Sequence, residues 1–156
     1  MAKAWELKGI APEKSLEVCA RRIITTRWHE MMSFRQGALE GKDIEFVHGM
    51  RVSSRRLHAA MMNFADCFPN QRQFQKHLKR VKRITKTLGT VRDLDVLIDR
   101  FQKDVQALSE VEQVGVQNLI ADLQRERLEK RKRLLKLFRA FEADDVAQKF
   151  LEFFQV

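Results

Sequence analysis

The residues able to do chemistry in this chain are cationic, and they are concentrated. Between Phe46 and Arg92 eleven basic residues stand against one acid, Asp66. On a helix turning about 100° per residue, His48, Arg51, Arg55 and Arg56 fall opposite an apolar stripe of Phe46, Val47, Met50, Leu57, Met61 and Phe64. Small residues, Val52 and Ala59, lie between the cations. A following helix repeats the pattern: Lys76, Lys79, Arg83 and Lys86 face away from Phe74, Leu78 and Val81, with Arg80 and Lys82 on the flanks. Like charges one turn apart repel, and a merely solvated helix intersperses glutamates to relieve them. Here no acid occurs between Cys67 and Arg92, so an external anion is expected. Arginine presents a planar fork that matches phosphate oxygens, and lysine adds a point charge, which makes phosphate the leading ligand class. Readers of single-stranded nucleic acid interleave aromatic rings with their cations so that bases stack. In this chain Phe46, Phe64 and Phe74 belong to the apolar stripes and Trp5 and Trp28 lie elsewhere, which favours phosphate without bases.

Other constellations carry weaker signals. His48 has no nucleophile, second histidine or glycine-rich phosphate loop beside it, so a hydrogen bond to phosphate is favoured over general-base work. Arg92, Asp93 and Asp95 read as Arg-Asp-x-Asp. Its carboxylates could hold Mg²⁺, but the favoured reading is structural: Asp93 caps a helix, Arg92 ion-pairs locally and Asp95 braces basic side chains. Arg127 and Arg131 share a side with Ile120, Leu134 and Phe138, and Arg27 interrupts the apolar stripe of the first helix. These three hint at a polar seam or inner ligand wall. The block from Lys130 to Arg133 points all round its helix and reads as solvated. Cys19 and Cys67 lack metal-ligand spacing and read as reduced core thiols, and no metal or cofactor is expected.

The elements that must position these groups are helices. The chain has 156 residues, about one domain, with a net charge of +9. It is 44% hydrophobic and 33% charged, enough apolar surface to bury a core. Six glycines, two prolines and no tyrosine, with turn clusters far apart, argue against a sandwich or barrel. The first helix is expected from about Pro12 or Glu13 to Arg35, stopped by Gly37, with Leu16, Ala20, Ile23, Met31, Phe34 and Ala38 buried. The loop 37–42 leads to Asp43, an N-cap for a helix over 44–65 that ends at Pro69. Asn70 with Gln73 opens the third helix. Gly89 interrupts it, and Thr90 with Asp93 restarts a segment through Phe101. After Ser109 a long periodic stretch spans 111–141, and an apolar tail holds Phe150, Leu151, Phe153 and Phe154, which closes the core or a dimer interface. The expected architecture is all-α: one antiparallel four-helix bundle over residues 1–156, kinked at Gly89, with a short C-terminal helix. No run of 18 apolar residues and no stretch of signal-peptide character is present, which points to a cytoplasmic protein without membrane insertion.

Two segments are similar to a known family. Val47 to Ala60, V-H-G-M-R-V-S-S-R-R-L-H-A-A, followed by Leu88 to Leu97, L-G-T-V-R-D-L-D-V-L, resembles the CHAD domain, the conserved histidine α-helical domain, with the strongest motif coverage over 43–101. The resemblance implies a helical bundle that binds inorganic polyphosphate through a basic, pore-like surface, and association with polyphosphate granules. It implies that His48, Arg51, Arg55 and Arg56 line the phosphate path and that Lys79, Lys82, Arg83 and Lys86 of the next helix join them; the reading of helix faces adds Arg27, Lys76, Arg127 and Arg131 as further candidates. Arg92, Asp93 and Asp95 match the family's R-D-x-D, and His58 stands where members often carry arginine. The usual family domain resembles two four-helix repeats. This chain is about half that length with both motifs in the first repeat, so it is either a truncated or single-repeat member or one whose copies dimerise to restore the paired surface, and the homodimer is the favoured expectation. No triphosphatase domain accompanies it, so the expected role is non-enzymatic binding of inorganic polyphosphate. The alternative is a helical protein whose cations grip RNA or DNA phosphates.

Overall fold

A computed structural model describes residues 3–155. Among them are six α-helices, two single 3₁₀ turns (Ala65–Cys67 and Val105–Ala107) and no strand. The helices are α1 (Leu16–Ser33), α2 (Arg35–Glu40), α3 (Ile44–Asn63), α4 (Gln71–Asp104), α5 (Glu110–Ala143) and α6 (Val146–Phe154). The architecture is an all-α helical bundle, as composition and periodicity indicate.

Side-chain caps set the starts. Ser15 accepts from the Val18 N–H at 3.3 Å, Asp43 from Glu45 at 2.8 Å and Asn70 from Gln73 at 3.1 Å. At α5 the Ser109 N–H donates to Glu112 Oε2 at 3.0 Å, closing a capping box.

The first helix starts at Leu16, where Ser15 supplies the cap, and not at Pro12 or Glu13, and two further boundaries differ from the sequence reading. The first helix does not stop at Gly37: it breaks at Phe34, and α2 continues to Gly41, whose φ of 72° is the left-handed helix end. Gly37 lies inside α2 because the Phe46 ring occupies the space where a Cβ would project. That ring is 40% exposed, so Phe46 is not part of the buried stripe, and Leu16 is exposed as well. The second difference is at Gly89, where α4 runs unbroken for 34 residues. Thr90 does not cap a new helix. Its hydroxyl donates to the Thr87 carbonyl at 2.8 Å, and Asp93 is exposed on the helix surface instead of capping it.

Consecutive long helices are antiparallel. Phe34 meets Gly49 and Glu30 meets Arg56 between α1 and α3; Ser54 meets Thr85 between α3 and α4; Asp95 meets Arg127 between α4 and α5. The helix α6 packs on both α1 and α5 and fills the gap between the first and last long helices. Its apolar face carries Phe150 and Phe154, both fully buried, and Phe150 stacks on Trp28 at 4.0 Å between centroids. Phe68 and Phe74 complete an aromatic cluster around His77. Each such ring contributes about 1.5–3 kcal/mol by leaving water. At about 1.5 Å per residue α4 and α5 are each longer than α3 by roughly 20 Å. Their hairpin projects and carries its own small core of Leu94, Ile98 and Ile120.

His77 is 2% exposed, and burial, followed by the charges of Arg80 and Lys76, lowers its pKa from 6.5 to about 4. Above pH 6.5 the ring is neutral in both folded and unfolded chains. Between pH 6.5 and 4 the unfolded chain takes up a proton that the folded one excludes, so stability falls as pH falls, by about 3 kcal/mol in all. Denaturant titrations at pH 7 and pH 4.5 should show this loss in the wild type, and His77→Gln should remove the His77 share of it.

Candidate functional site

The predicted cations converge where α3 crosses α4, because the two helices approach closely there. Ser54 is fully buried, and its Oγ accepts from Thr85 Oγ1 at 3.0 Å while donating to the Arg51 carbonyl at 2.8 Å. This hydroxyl pair latches the helices beneath the charged surface. One turn toward the start of α3, Arg51 lies over Gly89: a Cβ on that glycine would sit 3.3 Å from Arg51 Nε. Glycine in mid-helix costs about 1 kcal/mol against alanine, so the space it leaves for the guanidinium is the physical reason it can stand here without ending the helix. Arg51 Nε is shielded from solvent and has no hydrogen-bond partner. One turn the other way His58 lies beside Lys82. Burial first and Lys82 second push the His58 pKa below its usual 6.5, so the ring is neutral at pH 7.

Around this crossing the surface is cationic. Arg55, Lys79, Lys82 and Lys86 are exposed, and Lys79, Lys82 and Lys86 succeed one another at three- and four-residue steps along one side of α4. Val52 and Ala59, with Arg55 and Arg56, border a shallow cleft of about 310 Å³. Eleven ion pairs join described residues, yet none uses Arg51, Arg55 or any lysine or arginine from Arg72 to Lys86. On α5, by contrast, Arg125, Lys130 and Lys132 each pair with an acid one turn away.

Not every predicted residue joins this face. Arg56 turns toward α1, where its Nη1 donates to Glu30 Oε1 at 2.6 Å. Arg27 donates to Glu30 Oε2 at 2.6 Å and to the Trp5 carbonyl at 2.9 Å. Arg83 and Lys76 are exposed on α4, each one turn from Lys79 and farther round the helix from α3 than Lys82. His48 is half-buried in the second turn of α3.

The seam expected from Arg127 and Arg131 exists, but internal partners occupy it. Arg127 pairs with buried Asp95 between α4 and α5. Arg131, 8% exposed, donates to the carbonyls of Ala38 and Leu39 at 3.1 and 2.9 Å, satisfying the open end of α2. Arg92 reaches Glu45 at 3.9 Å. No group of three or more His, Cys, Asp or Glu side chains is placed to hold a metal ion among the described residues. Nor is any described helix long and apolar enough to cross a membrane.

Glu30 escaped the sequence reading, and Gly89 was read only as a helix break. For Glu30 the signal was a carboxylate one turn from Arg27 on an otherwise apolar stripe. For Gly89 it was a glycine within a helical pattern that never lost its register on either side.

The family model for the CHAD domain matches residues 22–155, nearly the whole chain. The chain belongs to the CHAD domain family. Searches of curated proteins and of solved structures found no match. Both motifs of this CHAD domain meet in space: the histidine-bearing helix α3 supplies Arg51, and Gly89 of the L-G-T-V-R-D-L-D segment supplies the space beneath it.

Glu30 is fully buried and balances two guanidiniums, so its loss leaves both uncompensated. Glu30→Gln should cost about 3 kcal/mol in denaturant titration. Glu17→Gln, which removes the exposed i,i+4 partner of Arg21, should cost about 0.5 kcal/mol in the same titration.

Proposed function

We propose that this protein binds inorganic polyphosphate along the α3–α4 face, without catalysing a reaction. The observation that carries the reading is that, among the described residues, Arg51, Arg55, Lys79, Lys82 and Lys86 have no acidic partner within ion-pair distance, and that no acid stands between Cys67 and Arg92 to supply one. Membership of the CHAD domain family, which is associated with phosphate-related proteins, supports it. A chain of phosphates supplies a negative charge at every unit and relieves the repulsion along both helices. Arg51 and Arg55 offer forked donors, and the α4 lysines offer point charges that tolerate sliding of a repetitive ligand. His58 joins as a titrating neighbour: an adjacent polyanion opposes the effect of Lys82, raises its pKa and favours proton uptake on binding.

The same proposal includes a homodimer and association with polyphosphate granules. One copy presents a single cationic wall, and an isologous twofold would set a second wall opposite it. Nucleic acid is the competing ligand. No aromatic ring stands among the five cations, and Phe46, the exposed ring of α3, packs over α2 instead.

Fluorescence competition at fixed salt, with long-chain polyphosphate and single-stranded RNA of matched charge, tests the reading, with molecular mass read by light scattering. Polyphosphate should compete at the lower concentration. Arg51→Ala and Gly89→Leu should each weaken it about tenfold, the value of one charge-assisted contact, with helicity by circular dichroism retained. Equal or better competition by RNA would contradict the proposal, and a monomer throughout would remove its dimer.

A further inference from the structure

A second cationic concavity lies on the other side of α4, where α6 packs against it. The cleft measures about 510 Å³. From α4 it is lined by Lys76, His77, Arg80 and Gln73, and from α6 by Lys149, Glu152 and Phe153. Neither Lys76 nor Arg80 has an acidic partner within ion-pair distance among the described residues. Lys149 Nζ spends one N–H on the Asp144 carbonyl at 2.6 Å and keeps two. The single acid, Glu152, accepts a hydrogen bond from Gln148 at 2.8 Å.

His77 gives the second observation. It is 2% exposed and packed against Phe150, Phe153 and Phe154, yet its Nδ1 has no hydrogen-bond partner. An orphaned buried ring nitrogen costs free energy unless a ligand or water meets it. Three cations against one acid rule in an anion and rule out a metal cation. A forked guanidinium, ammonium groups and the Gln73 amide make a donor set suited to the many oxygens of a compact oxyanion.

We propose that the α4–α6 cleft is a second anion site, separate from the α3–α4 face, which takes a short inorganic phosphate chain such as triphosphate between Lys76, Arg80 and Lys149. The ligand bridges two helices that otherwise meet through aromatic contacts, so it fastens α6 onto the bundle. Its donors are distinct from Arg51, Arg55, Lys79, Lys82 and Lys86, so this site does not depend on the reading of the first.

The test uses triphosphate on the full chain, with binding read by calorimetry and the His77 ring signals followed by NMR. Triphosphate should shift the His77 signals. The double variant Lys76→Gln, Arg80→Gln should bind at least tenfold more weakly, while Arg51→Ala, Arg55→Ala should change by less than threefold. Glu152→Gln, which removes the one acid from an exposed position, should tighten binding by about threefold. Silent His77 signals would overturn the proposal. So would a loss confined to the Arg51, Arg55 variant, or an unchanged Glu152→Gln. Preference of the α3–α4 face for RNA would overturn the function proposed above and leave these outcomes untouched.

Discussion

Mutual repulsion among cations held on one face is the constraint around which this molecule is built. Lysines and arginines at three- and four-residue spacing, with no interspersed acid, oppose helix formation locally. Burial on the opposite sides of the same helices offsets it. Val47, Met50, Leu57 and Met61 of α3, and Phe74, Val81, Ile84 and Leu88 of α4, are each completely excluded from solvent. The Ser54–Thr85 hydroxyl pair then fixes the helices at the point where the charge is densest. The face is therefore assembled before any ligand arrives, and a polyanion need not be charged the cost of bringing its donors together.

The rest of the electrostatics is arranged to keep other cations out of that face. Glu30 draws Arg27 and Arg56 toward α1, Asp95 draws Arg127 between α4 and α5, and the open end of α2 takes Arg131. These arginines resemble ligand contacts in a sequence because Arg27, Arg127 and Arg131 break apolar stripes and Arg56 stands in the cationic row of α3. In the fold they balance buried carboxylates and carbonyls, which is the ordinary requirement for polar groups removed from water. A net charge of +9 is thus distributed unevenly: the stretch from Arg72 to Lys86 of α4 enters no ion pair among the described residues, whereas Arg100 and Lys103 near the end of the same helix and Arg125, Lys130 and Lys132 of α5 each have an acid one turn away.

Much of this was legible in the sequence. The 3.6-residue apolar period gave the helices, and Asp43, Asn70 and Ser109 gave the starts of three of them. The absence of acids between Cys67 and Arg92 gave the cationic face. What was not legible depended on neighbours distant in the chain. Gly37 and Gly89 read as breaks because glycine has no side chain to pack. Their reasons for standing in helices are the Phe46 ring and the Arg51 guanidinium, which only the folded chain brings near. Likewise the wheel placed Arg56 with Arg51 and Arg55 but held no information about the carboxylate of Glu30 on α1. The helix α6 was legible as an apolar tail, whereas its place between α1 and α5 follows from packing alone.

The most direct measurement of the central claim is a map of where long-chain polyphosphate touches the protein, by amide and side-chain NMR perturbation at physiological salt. The account predicts that the strongest changes fall on Arg51, Arg55 and His58 of α3 and on Lys79, Lys82, Lys86 and Gly89 of α4. Changes centred instead on the basic block from Lys130 to Arg133 of α5, with α3 silent, would contradict it.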